Sequence, residues 1–350
     1  MHTALQSADS AITPQAQLDA LLQSAGFTSL DDTGWIRVTG SDRVRWLNGM
    51  VTNNIAALRP GEGCYNFVLN AQGRIQGDLT AWMREDSILL ETSRDQIPAL
   101  LAHLDHFIIM DDVEVADVAD QTAGFTVAGP QAAAILGNAG LPTDSLSPFR
   151  SQLAIWQESA VTLLLGYSPL VPRFEVWANP AVIGQIGAAL IGADALPVST
   201  KAIDTRLRVL EGTPRYGIDI RNTASAHDLP QETGQTRALH FSKGCYLGQE
   251  IVERIRSRGN VHRTFSGFSL TGSLPEPGAV LTADAKPVGE LTSIAAIPLP
   301  ASSSQAAHTV QLALGYIRRE ALPVTAQARN LPIEYPGGIA TPIALPYPIP

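Results

Sequence analysis

The chain has 350 residues, 45% of them hydrophobic, enough for two or three domains with sizeable cores. No uninterrupted apolar run reaches the roughly 18–20 residues of a spanning helix, and 24 Lys plus Arg against 33 Asp plus Glu give a net charge of −9, which argues against generalised binding to DNA or an anionic membrane. Two cysteines, Cys64 and Cys245, cannot supply a disulfide framework or the four thiolates of a structural metal site, so no resident metal is expected.

Thr13 and Pro14 stand as cap and first-turn residue of a helix carrying Leu18, Leu21, Leu22 and Ala25, so residues 1–32 read as a helix and a lead-in. The opening lacks a cationic region and an apolar signal core, and a cytoplasmic location is expected. β-rich runs at 35–38, 64–69, 74–83 and 87–91 predict strands, while 42–50 and 94–106 have apolar residues at helical spacing. Strand signals recur at 124–128, 161–165 and 173–177, with helices at 130–138 and 180–191. Strands and helices mix without strict alternation, which predicts an α+β region over 33–260 in two interleaved subdomains. From 261 to 337 short strands near 264–270, 279–282, 288–297 and 309–317 predict a small β-barrel, with 298–305 as a surface loop. The proline-rich end, 338–350, is expected to be an extended or disordered tail.

Residues 74–83 place Asp78, Thr80 and Trp82 on one strand face. A two-residue turn at Ala71 and Gln72 would set Tyr65 directly opposite Asp78, either as part of a ring-binding site or as an ordinary amphipathic hairpin. His103 and His106 lie three apart without a third ligand at suitable spacing and are given no metal role.

Residues 243–250, Lys243-Gly244-Cys245-Tyr246-Leu247-Gly248-Gln249-Glu250, read as a loop feeding a helix. Ile251, Val252 and Ile255 form its apolar stripe, Arg254 and Arg258 sit one turn apart, and Gly259 is placed to stop it. Gly244 and Gly248 allow something to approach the loop closely. A thiol two residues from an ammonium, near a helix N-terminus, makes Cys245 and Lys243 a candidate catalytic pair. The alternative is a buried, inert Cys245 and a solvated Lys243.

The octet, with Arg254, Arg258-Gly259 and His262-Arg263, resembles the K-G-C-Y-x-G-Q-E signature of the YgfZ family. More widely, Arg37-Val38-Thr39-Gly40, Gly49-Met50-Val51-Thr52-Asn53 and Val288-Gly289-Glu290-Leu291-Thr292-Ser293 are similar to the aminomethyltransferase (GcvT) superfamily, over about residues 33–335. The resemblance implies a GcvT-like fold around a central cavity, with tetrahydrofolate or a one-carbon derivative as ligand. It implies an accessory role in assembling or repairing iron–sulfur clusters in client enzymes, tRNA-modifying enzymes among them. Aminomethyl or methyl transfer, and direct tRNA contact through the local basic patch, are the alternatives. Implied partners are folate and iron–sulfur client or assembly proteins. Tyr65, Asp78 and Trp82 match folate contacts of the superfamily, and Arg254 and Arg258 would meet the folate tail or another anion. In Leu207-Arg208-Val209-Leu210-Glu211-Gly212, Leu210 takes the slot of the superfamily's pterin-binding glutamate, leaving Glu211 displaced by one residue, which on a strand would face the other way. Glu232, in Pro230-Gln231-Glu232, either orients the signature loop or caps a turn.

Overall fold

The computed structural model describes residues 12–223, 228–259, 261–301, 306–322 and 332–349, without the side chain of Arg258. Helix α1 (Pro14–Gln23) is capped by Thr13, whose Oγ1 accepts from Ala16 N at 3.2 Å. There follow β1 (Gly26–Ser29), β2 (Thr33–Thr39), α2 (Arg43–Met50), β3 (Gly63–Leu69), β4 (Ile75–Met83), β5 (Ile88–Ser93), α3 (Ile97–Asp105) and β6 (Glu114–Asp117). The next group is β7 (Ala123–Ala128), α4 (Ala132–Asn138), β8 (Arg150–Trp156), β9 (Ser159–Leu165), β10 (Arg173–Ala178), α5 (Pro180–Gly192) and β11 (Leu196–Pro197). A π-helical run, Ala202–Leu207, continues into α6 (Arg208–Glu211), and α7 (Gln249–Arg258) precedes the last strands. None of these helices is long and apolar enough to cross a membrane.

Two mixed layers result. One sheet runs β3-β4-β5-β2-β6, the other β11-β1-β7-β10-β9-β8, so the chain starts the second sheet with β1, builds all of the first, and then returns. This is the interleaved α+β organisation. The lead-in before residue 33 is not separate, because β1 pairs with both β7 and β11 inside the six-stranded sheet. Along one edge the sheets are stitched together: Gly63 N donates to Phe149 O and Ser151 N to Gly61 O, both at 2.8 Å.

The C-terminal strands β12 (Arg263–Gly272), β13 (Val280–Ala283), β14 (Lys286–Leu299), β15 (His308–Arg318), β16 (Glu334–Tyr335) and β17 (Gly338–Ile343) close a six-stranded barrel. The expected tail is its last strand: β17 pairs with β12 from Gly338 to Ile343. Ile343, Leu345, Tyr347 and Ile349 then pack on a core containing Leu18, Leu210 and Ile297, with Ala344, Pro346 and Pro348 exposed between them. That alternation is a half-buried extended segment, and the prolines conceal it because they also suit disordered chain. The expected loop at 298–305 is strand to Leu299, and 302–305 lie outside the described residues.

A buried polar tie joins barrel to helix. Asp219, fully buried, accepts from Arg208 Nη1 at 2.6 Å, Thr292 Oγ1 at 2.5 Å, Ser293 Oγ at 2.7 Å and Arg215 N at 2.9 Å. Four donors compensate the loss of water around its charge, and the tie sets the barrel against α6 and the cavity described next.

Candidate functional site

Three indoles meet where the two sheets face: Trp35 of β2 and Trp82 of β4 each stand edge to face with Trp177 of β10, at 5.5 and 6.0 Å. Beside them lies a cavity of about 270 Å³, lined from one half by Tyr65, Asp78, Thr80, Trp82, Glu91 and Gln96, and from the other by Tyr167, Arg173, Glu175 and Asp204. Its enclosed end holds Trp82 and Glu175, 1% and 5% exposed. Asp32 and Arg215, also in its lining, have side chains 68% and 32% exposed and mark the open end.

Tyr65, Asp78 and Trp82 thus come together, by a different register from the one expected. Asn70 closes a longer turn, its Oδ1 accepting from Gln72 N at 3.0 Å and Arg74 N at 3.1 Å, with Gly73 at φ +70°. A shift between Val68 and Leu69 then sets Tyr65 opposite Thr80 and Phe67 opposite Asp78. Tyr65 and Asp78 are diagonal neighbours, and the Tyr65 hydroxyl donates to Asp78 Oδ2 at 2.6 Å. Gln96, just before α3, grips the same residue twice: its Nε2 donates to Oδ1 at 2.8 Å and its Oε1 accepts from Asp78 N at 3.1 Å. Burial raises the Asp78 carboxyl pKa against the opposing pull of these two donors.

Other lining residues escaped the sequence reading. Arg237 lies over the Tyr167 ring at 3.8 Å and the Tyr65 ring at 4.8 Å, and its Nε has no partner among the described residues. Burial pushes its guanidinium pKa down. Burial raises the carboxyl pKa of both Glu91 and Glu175, which line the cavity from different sheets. A charge inside the otherwise apolar run Phe174–Trp177 was the available signal for Glu175.

The remaining expected contacts sit elsewhere. Glu211 is on a helix, not a strand, outside the cavity lining, and accepts from the Ser168 hydroxyl. Arg254 lines a second cavity of about 790 Å³, with Gln72, Arg74, Ile251, His262 and Arg263. The side chain of Arg258 lies outside the described residues. Glu232 accepts from Arg263 Nη2 at 3.0 Å and from Leu229 N at 3.3 Å, so it both caps a turn and holds β12.

The signature loop packs on the chain's own hairpin. Gly248, at φ +82°, is so close to the β3–β4 turn that a Cβ would lie 2.5 Å from Asn70 O, while Gly244 faces open space. Tyr246 is buried with Phe67, Leu69 and Val252; Gln249 Oε1 accepts from Tyr246 N at 3.2 Å, and Glu250 is exposed. Lys243 turns inward and donates to the carbonyls of Asn48, Val51 and Asn53 at 2.6, 2.5 and 2.5 Å. Burial pushes its pKa down to about 7, and three carbonyl acceptors oppose that by favouring the ammonium. All three donors are engaged, leaving none to activate a thiol. Cys245 is exposed and lies outside the lining of the first cavity, so of the candidate catalytic pair the thiol is on the surface and the amine is turned inward. Lys243's charge acts on the other cysteine, Cys64, whose thiol burial pushes up to about 11. Among the described residues no cluster of His, Cys, Asp or Glu is built to hold a metal ion.

The GCVT N-terminal domain matches residues 9–243, about two thirds of the chain. The protein belongs to the GCVT family. An aminomethyltransferase of Frankia alni is 28% identical to this GCVT-family chain over 290 residues, 79% of this chain and 76% of that one. A tRNA-modifying protein YgfZ of Yersinia enterocolitica is 29% identical over 256 residues, 72% of each, in agreement with the resemblance read from the octet. The crystal structure of the glycine cleavage system aminomethyltransferase T from Bartonella henselae shares the fold, with a TM-score of 0.80 at 20% identity over 95% of this chain and 89% of that one.

Lys243 therefore acts in this GCVT-family protein as a clamp between the signature loop and residues 48–53. Lys243→Met, which keeps the stem and removes the donors, should lower unfolding free energy by about 2–4 kcal/mol in urea. Lys243→Arg should not restore it, since a planar fork cannot aim at three convergent carbonyls. An unchanged urea midpoint in Lys243→Met would contradict the clamp.

Proposed function

We propose that the protein binds tetrahydrofolate, or a one-carbon derivative, in the cavity at Asp78, and serves as an accessory factor for assembly or repair of iron–sulfur clusters in client enzymes, including enzymes that modify tRNA. The observation that carries this reading is the joining, in one partly enclosed cavity, of a half-buried carboxylate, aromatic walls and a guanidinium whose Nε has no partner among the described residues. A pterin is flat and presents several N–H donors and a carbonyl oxygen. Asp78 offers acceptors to the donors, Tyr65 and Trp82 offer faces or edges to the ring, and Arg237 offers a cation to the carbonyl or a tail carboxylate. The orphaned Nε of Arg237 and the raised Asp78 carboxyl suit a ligand of that kind.

When bound, tetrahydrofolate supplies two nitrogens between which a one-carbon unit is carried. Asp78 would hold the ring in place and exchange a proton at Oδ1 or Oδ2, with Tyr65 and Gln96 keeping the carboxyl aimed. Trp82 and Leu79 would keep water from the enclosed end. Cys245, on the surface, suits contact with a partner protein better than contact with the ring. The names of the YgfZ relatives support the accessory role. Aminomethyl transfer shares the same cavity; the departure of Glu211 from the lining favours the accessory reading.

Titration with tetrahydrofolate, followed by tryptophan fluorescence, should show Asp78→Asn binding weaker by about 1.5–3 kcal/mol, the value of a hydrogen bond to a charged group. Equal affinities would remove Asp78 as an anchor. Cys245→Ala should fold and bind tetrahydrofolate as the wild type does, yet fail to support cluster enzymes in a strain lacking the gene. Full complementation by that variant would count against the thiol's part.

A further inference from the structure

A sheet edge invites pairing with another chain unless it is short, charged, kinked or covered. Three of the four edges of the two sheets are protected in these ways. β6 carries Glu114 and Asp117 at its ends, and β11 is two residues long and ends in Pro197. β3 is overlaid by the chain before it, with Val51 bridging Val68 and Thr52 N donating to Phe67 O at 3.1 Å. β8 is the exception. It is seven residues long, pairs with β9 in unbroken register from Arg150 to Trp156, and holds neither proline nor charge from Ser151 to Trp156. Leu153 and Ile155, two apart on one of its faces, are 70% and 73% exposed.

The backbone decides which groups of β8 are free. Gln157 and Glu158, at φ +45° and +67°, form a two-residue turn that closes the Trp156–Ser159 pair. Antiparallel pairing then alternates: Gln152, Ala154 and Trp156 turn their N–H and C=O to β9, while Ser151, Leu153 and Ile155 turn theirs outward. Ser151 N follows that outward direction and is used by it, donating to Gly61 O at 2.8 Å. Leu153 and Ile155 have no strand beside them on that side among the described residues. Their side chains share the sheet face away from α4 and α5, because Ala154 and Trp156 pack on the core beneath those helices.

We propose that β8 is the pairing edge for a second copy of this chain, joined antiparallel about a two-fold axis at Ala154. In that register Leu153 of each copy stands opposite Ile155 of the other, so the free backbone groups exchange hydrogen bonds and four apolar side chains meet on one face. A two-fold at Leu153 would instead match Ile155 with Ser151, whose N–H is already taken by Gly61. One at Ile155 would match Leu153 with Gln157 in the turn. The ends agree in charge as well. Arg150, 49% exposed where it pairs with Glu62 at 2.7 Å, falls opposite the exposed Glu158 of the other copy. No residue of β8 lines either cavity, so both stay open in the pair.

Sedimentation velocity of the full chain from about 1 to about 100 µM, the range in which so small an interface becomes populated, should show monomer giving way to dimer. Ile155→Lys sets an ammonium on each side of the join and should weaken association about tenfold or more. A wild type that stays monomeric throughout, or an Ile155→Lys that associates as the wild type does, would overturn the proposal. Ala154→Cys in a Cys245→Ala background tests the register. Facing residues at the two-fold lie about 4.5 Å apart at Cα, within reach of a disulfide, so mild oxidation should link two chains. The link should form about tenfold faster or more than in Gln157→Cys, whose thiol stands on the exposed turn. Should Ile155→Lys not fold, these rates decide: a faster link at Ala154 supports the pairing, and equal rates contradict it.

Discussion

A carboxylate half withdrawn from water at Asp78 is the constraint around which the site is organised. Burying an ionisable carboxyl costs free energy unless donors replace the lost water, and here the donors are neutral: a phenol hydroxyl and a side-chain amide. To bring them in, the β3–β4 ladder shifts register before its turn, which puts Tyr65 diagonal to Asp78. Gln96, which also donates to Ser93 Oγ at 2.7 Å, ties the start of α3 to β4 through both backbone and side chain. An acid held at so enclosed a position is the feature on which the proposed pterin contact rests.

The cavity exists because neither sheet completes it alone. Asp78, Trp82 and Glu91 come from the five-stranded sheet, Arg173 and Glu175 from the six-stranded one, and Arg237 from the segment that leads to the signature loop. The tryptophan seam and the Gly61–Ser151 stitching hold the sheets at a fixed spacing, and the Asp219 tie fixes the barrel behind α6. The signature loop serves a different surface. Its glycine at 248 and its lysine at 243 lock it to the β3–β4 turn and to residues 48–53, which leaves Cys245 outward on a rigid mount.

Much of this was legible in the residues. Helices with clear caps and strands with period-two faces appear where expected, and the octet pointed to the family that the comparisons support. What stayed hidden depended on distant partners. Lys243 meets carbonyls 190 to 195 residues away, so no local pattern could tell a clamp from a catalytic amine. The hairpin register turned on one Asn70 side chain and a single shifted pair. The displacement of Glu211 would reverse its facing only on a strand; it follows a π-helical run and belongs to a helix, where period-two facing does not apply. Glu91 and Glu175 are far apart in sequence and come to one cavity only because their strands lie in facing sheets.

Difference density from crystals soaked with tetrahydrofolate tests the central claim most directly. The ring should lie in the cavity against Asp78, beside Tyr65 and Trp82, with Arg237 against its oxygen or its tail. Ring density in the Arg254 cavity beside α7 instead, with the Asp78 cavity filled by water alone, would contradict it.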